Sequence, residues 1–151
     1  MTRPMRWQTV TVLVIGVASF AMLAGSTIAV TAGHVRKLLL ALATAKFVLY
    51  SLWMLAHEEF IFVIADTGFA MALVAALHGW STTSRRDRAS LWMLGGVAVS
   101  VFAAGVQASG YTLDRHFSHN DLFHVIQTGA MWLFYVGASR LRDSSTREGK
   151  E

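Results

Sequence analysis

Residues 8–32 read QTVTVLVIGVASFAMLAGSTIAVTA, 25 residues in a row without a charge. At about 1.5 Å of rise per residue, a helix over this run exceeds the roughly 30 Å of a bilayer's hydrocarbon core. Arg3 and Arg6 precede it, and Val30-Thr31-Ala32 resembles a cleavage site, so a signal peptide is the competing reading. The run outlasts the roughly 7–15 apolar residues of a signal sequence, which favours a retained membrane span. Ser19, Ser26 and Gly33 recur at seven-residue spacing along one stripe, suited to close helix packing.

The rest of the chain repeats this character. Of 151 residues, 54% are hydrophobic and 15% charged, with one proline and no cysteine. Such a composition excludes a disulfide scaffold, a thiolate metal site and a cysteine nucleophile. The net charge of +4 sits at the termini and in one polar stretch, with no basic face interleaved with aromatic residues, so nucleic acid is not an expected partner. After a short basic connector, Gly33-His34-Val35-Arg36-Lys37, further spans are expected at 38–56, 60–77, 91–108 and 122–141. A polar loop at 80–89 carries Arg85, Arg86 and Arg88. The expected fold is an all-α polytopic membrane helix bundle of about five transmembrane helices over residues 1–141. Residues 142–151 are expected to form a charged, disordered tail.

Lysines and arginines orient the bundle. With the amino terminus outside, nine of them lie on the inner side (Arg36, Lys37, Arg85, Arg86, Arg88, Arg140, Arg142, Arg147 and Lys150) and three on the outer (Arg3, Arg6 and Arg115). The expected location is a bacterial-type inner membrane. His57 and the cluster Asp114-Arg115-His116-Phe117-Ser118-His119-Asn120-Asp121-Leu122-Phe123-His124 then share the outer side. That cluster gathers three of the chain's six histidines into 11 residues.

His57 ends the second span, Asp66 lies about 9 Å into the third, and His124 lies about one turn into the fifth. Three neutral imidazoles hold zinc well and leave a coordination position for water. A neighbouring carboxylate then takes that water's proton, which gives Asp66 an acid–base role. The expected ligands are His57, His124 and His119, with His116 as the alternative third. Lys46 stands in mid-span, on the stripe of Tyr50, Trp53 and His57. It is placed to reach Asp66 and keep that carboxylate ionised, either as a structural bridge or as tuning. Both roles require Asp66 to face the interior. Gly96, Ser100, Ala103 and Gln107 on the fourth span offer close packing or room for a chain-like substrate, against a fifth span carrying Gln127, Thr128 and Tyr135.

His57, Asp66 and the pair in Ser118-His119-Asn120-Asp121-Leu122-Phe123-His124 resemble the motifs of the membrane hydrolase superfamily of alkaline ceramidases and progestin/adipoQ receptors. The likeness covers residues 50–67 and 118–135. It implies a zinc ion on three histidines, an aspartate that helps activate water, and a lipid amide or ester as substrate within the membrane. The superfamily has seven helices against the five expected here. Its final histidines are four residues apart, whereas His119 and His124 are five apart, about 140° around a regular helix. Its serine lies one turn before the first histidine, whereas Ser51 precedes His57 by six residues. Ser118 as helix cap points His119 away from His124, and Asn120 as cap leaves His119 outside the helix.

Two further readings compete. Histidines near both faces (His34 and His78 against His57 and His124) suit b-type haem and electron transfer. An accessory membrane subunit would use its polar groups only to fix helix packing.

Overall fold

The computed structural model describes residues 7–57, 59–114 and 117–141. They form five helices: α1 (Trp7–Val30), α2 (Gly33–Ala56), α3 (Phe60–Arg85), α4 (Arg88–Ser109) and α5 (His119–Arg140). Among these residues one isolated β-bridge joins Asp114 and Phe117. The fold is all-α, as expected. Helices α1 to α4 are each long and apolar enough to cross a membrane. Helix α5 equals α4 in length, 22 residues each, but opens with His119, Asn120, Asp121 and His124. Large apolar side chains such as Leu49, Leu52, Phe102 and Trp132 stand exposed along the helix flanks. Flanks of this kind match lipid rather than water, and the protein is an integral membrane protein.

The helices outrun the apolar runs that announce them. Gly33 to Lys37, expected as a connector, is the first turn of α2. Arg36 explains how the charged start is accommodated: its guanidinium donates to the carbonyls of Thr31 (2.8 Å) and Ile28 (2.8 Å), satisfying acceptors at the end of α1. The expected loop at 80–89 is helical up to Arg85 and again from Arg88, which leaves a two-residue link. Thr82 and Thr83 bond back to the carbonyls of His78 and Gly79, so hydroxyls there are consumed within the helix. Asp87 caps α4 by accepting from the Ala89 N–H at 3.2 Å. Arg86 takes up the reversal with φ 52°, a conformation costly for any residue with a Cβ.

The chain divides into two compact units, with the division inside α3 after Leu77. In the first, Val12, Tyr50, Met54 and Val63 form a buried cluster with Leu13, Ile15 and Phe62 against it. Tyr50 rests on Gly16, where an added Cβ would lie 2.7 Å from its Cδ1. Its hydroxyl donates to the Val12 carbonyl at 2.8 Å. Ser19 and Ser26 are buried, as the small-residue stripe predicts. Gly33 departs from that stripe. It opens α2, exposed, at φ 58°, because the helix break falls before it.

In the second unit α4 and α5 pack face to face. Phe134 covers Gly96, and Met93 covers Gly137. Gln127 donates to Ser100 at 3.2 Å and Gln107 to Asn120 at 3.3 Å. The small residues of α4 thus serve close approach: Gly96, Ser100 and Ala103 are all buried.

Candidate functional site

A charge inside a membrane span is expensive enough to mark where function or specificity resides. In the first unit the two such charges meet. Lys46 Nζ lies 2.6 Å from Asp66 Oδ1, joining the middle of α2 to the second turn of α3. The Asp66 side chain is 7% exposed and that of Lys46 22%. The carboxylate faces inward, as the sequence requires, and Lys46 is the partner expected for it. One carboxylate oxygen is fixed by the ammonium, and Oδ2 carries no hydrogen bond from the described residues. The next residue on α3, Thr67, shares a 3.4 Å hydrogen bond with Ser19 of α1, so a hydroxyl pair lies at the level of the ion pair.

His57 terminates α2. Its backbone N–H donates to the Trp53 carbonyl at 2.9 Å, and its ring stacks on the Trp53 indole, centroids 4.1 Å apart and 9° from parallel. Nδ1 lies 3.3 Å from the same carbonyl. Only the Nδ1–H tautomer makes that a hydrogen bond, and it leaves Nε2 with its lone pair outward. Phe62, edge-on to Trp53 at 5.5 Å, closes the aromatic group from the α3 side.

The start of α5 decides between the two caps. Ser118 is the cap: Asp121 N–H donates to its Oγ at 3.3 Å, and Ser118 N–H donates to Asp121 Oδ2 at 2.9 Å, a reciprocal capping box. His119 is therefore the first residue of the helix, and His124 projects about 140° away from it. The two do not converge on one ion from a regular α5. His116 lies outside the described residues. The Asp121 carboxyl titrates below its ordinary range, chiefly because the Ser118 hydroxyl and then its backbone N–H bond the charged form, with smaller help from His124 and His119. Asp121 Oδ2 is engaged by Ser118 Oγ at 2.6 Å.

The burial of His78, named from the sequence only as suited to haem, and its partners escaped the sequence reading. His78 is fully buried, with Nδ1 2.9 Å from Ser90 Oγ. Ser90 in turn donates to Asp87 Oδ2 at 3.2 Å, so its single proton is spent there and His78 must donate from Nδ1. The cluster ties the end of α3 to the start of α4. Its signal was present in the sequence as a histidine, an aspartate and a serine at 78, 87 and 90, but no periodicity links residues across a helix reversal.

Among the described residues no group of three or more histidine, aspartate or glutamate side chains is placed to hold a metal ion. The sequence model of one protein family matches residues 2–143, and that family is described as one of unknown function (DUF6962). No curated protein and no solved structure matches the chain.

Proposed function

We propose that this chain, which belongs to the DUF6962 family of unknown function, is a hydrolase-like protein of a bacterial-type inner membrane with its amino terminus outside, acting on a lipid amide or ester through Asp66. The observation that carries the reading is the intramembrane pair of Lys46 and Asp66 at 2.6 Å. It holds one carboxylate oxygen in place and leaves the other open to a proton. In hydrolysis, water attacks the acyl carbon, Asp66 Oδ2 accepts the proton that water loses, and as the acyl bond breaks it delivers that proton to the departing amine or alcohol. Lys46 fixes the direction in which the carboxylate points.

Zinc is the cofactor proposed with this reading, and when bound it supplies a Lewis acid that makes water a ready nucleophile. The residues fit it in part. His57 is anchored through Nδ1 on a backbone carbonyl with Nε2 outward, the arrangement that orients metal-binding imidazoles. On α5, His119 and His124 diverge, and neither unit alone supplies three ligands among the described residues.

The test compares wild type with Asp66→Asn in purified, reconstituted protein, using a panel of fluorescent N-acyl and O-acyl lipids, together with elemental analysis. Turnover by wild type that Asp66→Asn abolishes, and that Asp66→Asn with Lys46→Met does not regain although its stability returns, supports the reading. A wild-type protein that cleaves no lipid of either class overturns it.

A second reading has its own support. Polar groups within each unit pair with one another: Lys46 with Asp66, Ser19 with Thr67, His78 with Ser90. A non-catalytic subunit would need only that. It predicts that the wild type turns over no lipid of either class, the Lys46–Asp66 pair serving stability alone.

A further inference from the structure

In the second unit, arginines and tryptophans gather where α3 ends, α4 begins and α5 ends. Arg140, the last residue of α5, lies over the Trp92 ring at 4.7 Å from its centroid. Arg88, the first residue of α4, precedes Trp92 by four positions and so stands on the same helical face. Arg85 lies over Trp80 at 5.0 Å. Arg86 occupies the reversal itself at φ 52°, where glycine or asparagine would sit with less strain. All four arginines are exposed. No ion pair engages any of them among the described residues. Asp87 is the one acid in residues 78–113, and its carboxylate is occupied by Ala89 N–H and Ser90 Oγ.

We propose that Arg85, Arg86, Arg88 and Arg140, steadied by Trp80 and Trp92, bind the phosphate of an anionic phospholipid headgroup. The chemistry of the group points to phosphate. Guanidinium forks match its oxygens, and the indole faces hold Arg85 and Arg140 in place without neutralising them. Position points to a lipid. The arginines mark the ends of membrane-length helices, where a headgroup is the phosphate at hand, and the exposed Trp80 ring suits that layer. Simple charge asymmetry would be served by lysines anywhere in the link. It would not need Arg140 stacked on Trp92, nor a strained arginine at the reversal. This inference is independent of any role for Asp66.

The experiment is native mass spectrometry of the full chain in a neutral detergent, titrated with phosphatidylglycerol, phosphatidylcholine or inorganic phosphate. Each basic residue near an anionic lipid is worth roughly 1 kcal/mol, or about fivefold in affinity. Phosphatidylglycerol is expected to bind at least about fivefold more tightly than phosphatidylcholine, and Arg88→Gln and Arg140→Gln should each weaken it about fivefold. Trp92→Leu, which keeps every charge, should weaken it as well, because Arg140 loses its platform. Lys37→Gln, removing a charge from the first unit, should leave it unchanged. Equal binding of the two lipids overturns the proposal. So does a Lys37→Gln effect equal to that of Arg88→Gln with Trp92→Leu silent, which would mark diffuse attraction. Inorganic phosphate that binds as tightly as the lipid would reassign the site to a soluble anion. Failure of phosphate to displace the lipid supports the headgroup.

Discussion

Lys46 and Asp66 close an ion pair at 2.6 Å between two membrane-spanning helices, with the carboxylate the more deeply buried partner. Removing one member of such a pair leaves a charge without compensation, whereas removing both leaves an apolar contact. Asp66→Asn should therefore lower stability by up to about 3 kcal/mol. Asp66→Asn with Lys46→Met should recover most of it, measured as thermal unfolding in one detergent. A stable single variant would mean that Lys46 reaches water without its partner.

The helical glycines divide into two kinds. At Gly16, Gly96 and Gly137 an added Cβ would sit 2.7 Å from Tyr50 Cδ1, 2.6 Å from Phe134 Cδ1 and 2.7 Å from Met93 Sδ. At Gly25, Gly105 and Gly129 it would meet nothing within 4 Å. Alanine at the first three should destabilise by about 1–3 kcal/mol, most at Gly137, where the Met93 backbone nitrogen is also only 3.1 Å away. Alanine at the second three should raise stability by up to about 1 kcal/mol through helix propensity. Chemical unfolding of the six variants measures this contrast.

His78 and Ser90 form a fully buried bond at the reversal between α3 and α4. Ser90→Ala should cost about 1–3 kcal/mol, because it strands the imidazole N–H. His78→Phe should cost less than Ser90→Ala, since the serine keeps Asp87 as a partner. The order of the two melting temperatures is the check.

The capping box gives the start of α5 a pH dependence with a definite sign. The folded-state pKa of Asp121 is lowered from its ordinary 3.8. Its contribution is complete above that ordinary value and is lost as pH falls below it, through the lowered folded value. Amide exchange at the first turn of α5 should accelerate over that acid window in the wild type. Asp121→Asn should show no such acid step.

Much of this was legible in the chain. Apolar runs announced the helices, and the eleven-residue return from Lys46 to His57 placed Lys46 on the face that meets Asp66. The small residues of α4 announced the α5 contact because a period of three and four survives any detail of side-chain conformation. What stayed hidden depends on such detail. Gly33 to Lys37 and Trp80 to Arg85 read as loops because charge and hydroxyl content was equated with irregular backbone. In fact Arg36 satisfies α1's last carbonyls, and Thr82 and Thr83 bond within α3. Ser118 and Asn120 were equal candidates for the cap of α5, and only the position of the Asp121 carboxylate separates them. The burial of His78 was unreadable because its partner Ser90 lies beyond a reversal.

The exposed Leu49, Leu52, Phe102 and Trp132 carry one last implication. These side chains define which medium counts as solvent, so any unfolding free energy for this protein is a property of the chain together with its amphiphile. A change of detergent is then equivalent to a change of ligand: whatever binds the folded flanks more tightly shifts the midpoint by mass action. Lipid titration thus becomes a thermodynamic axis in its own right, on which variants of the helix flanks can be ranked as readily as on temperature.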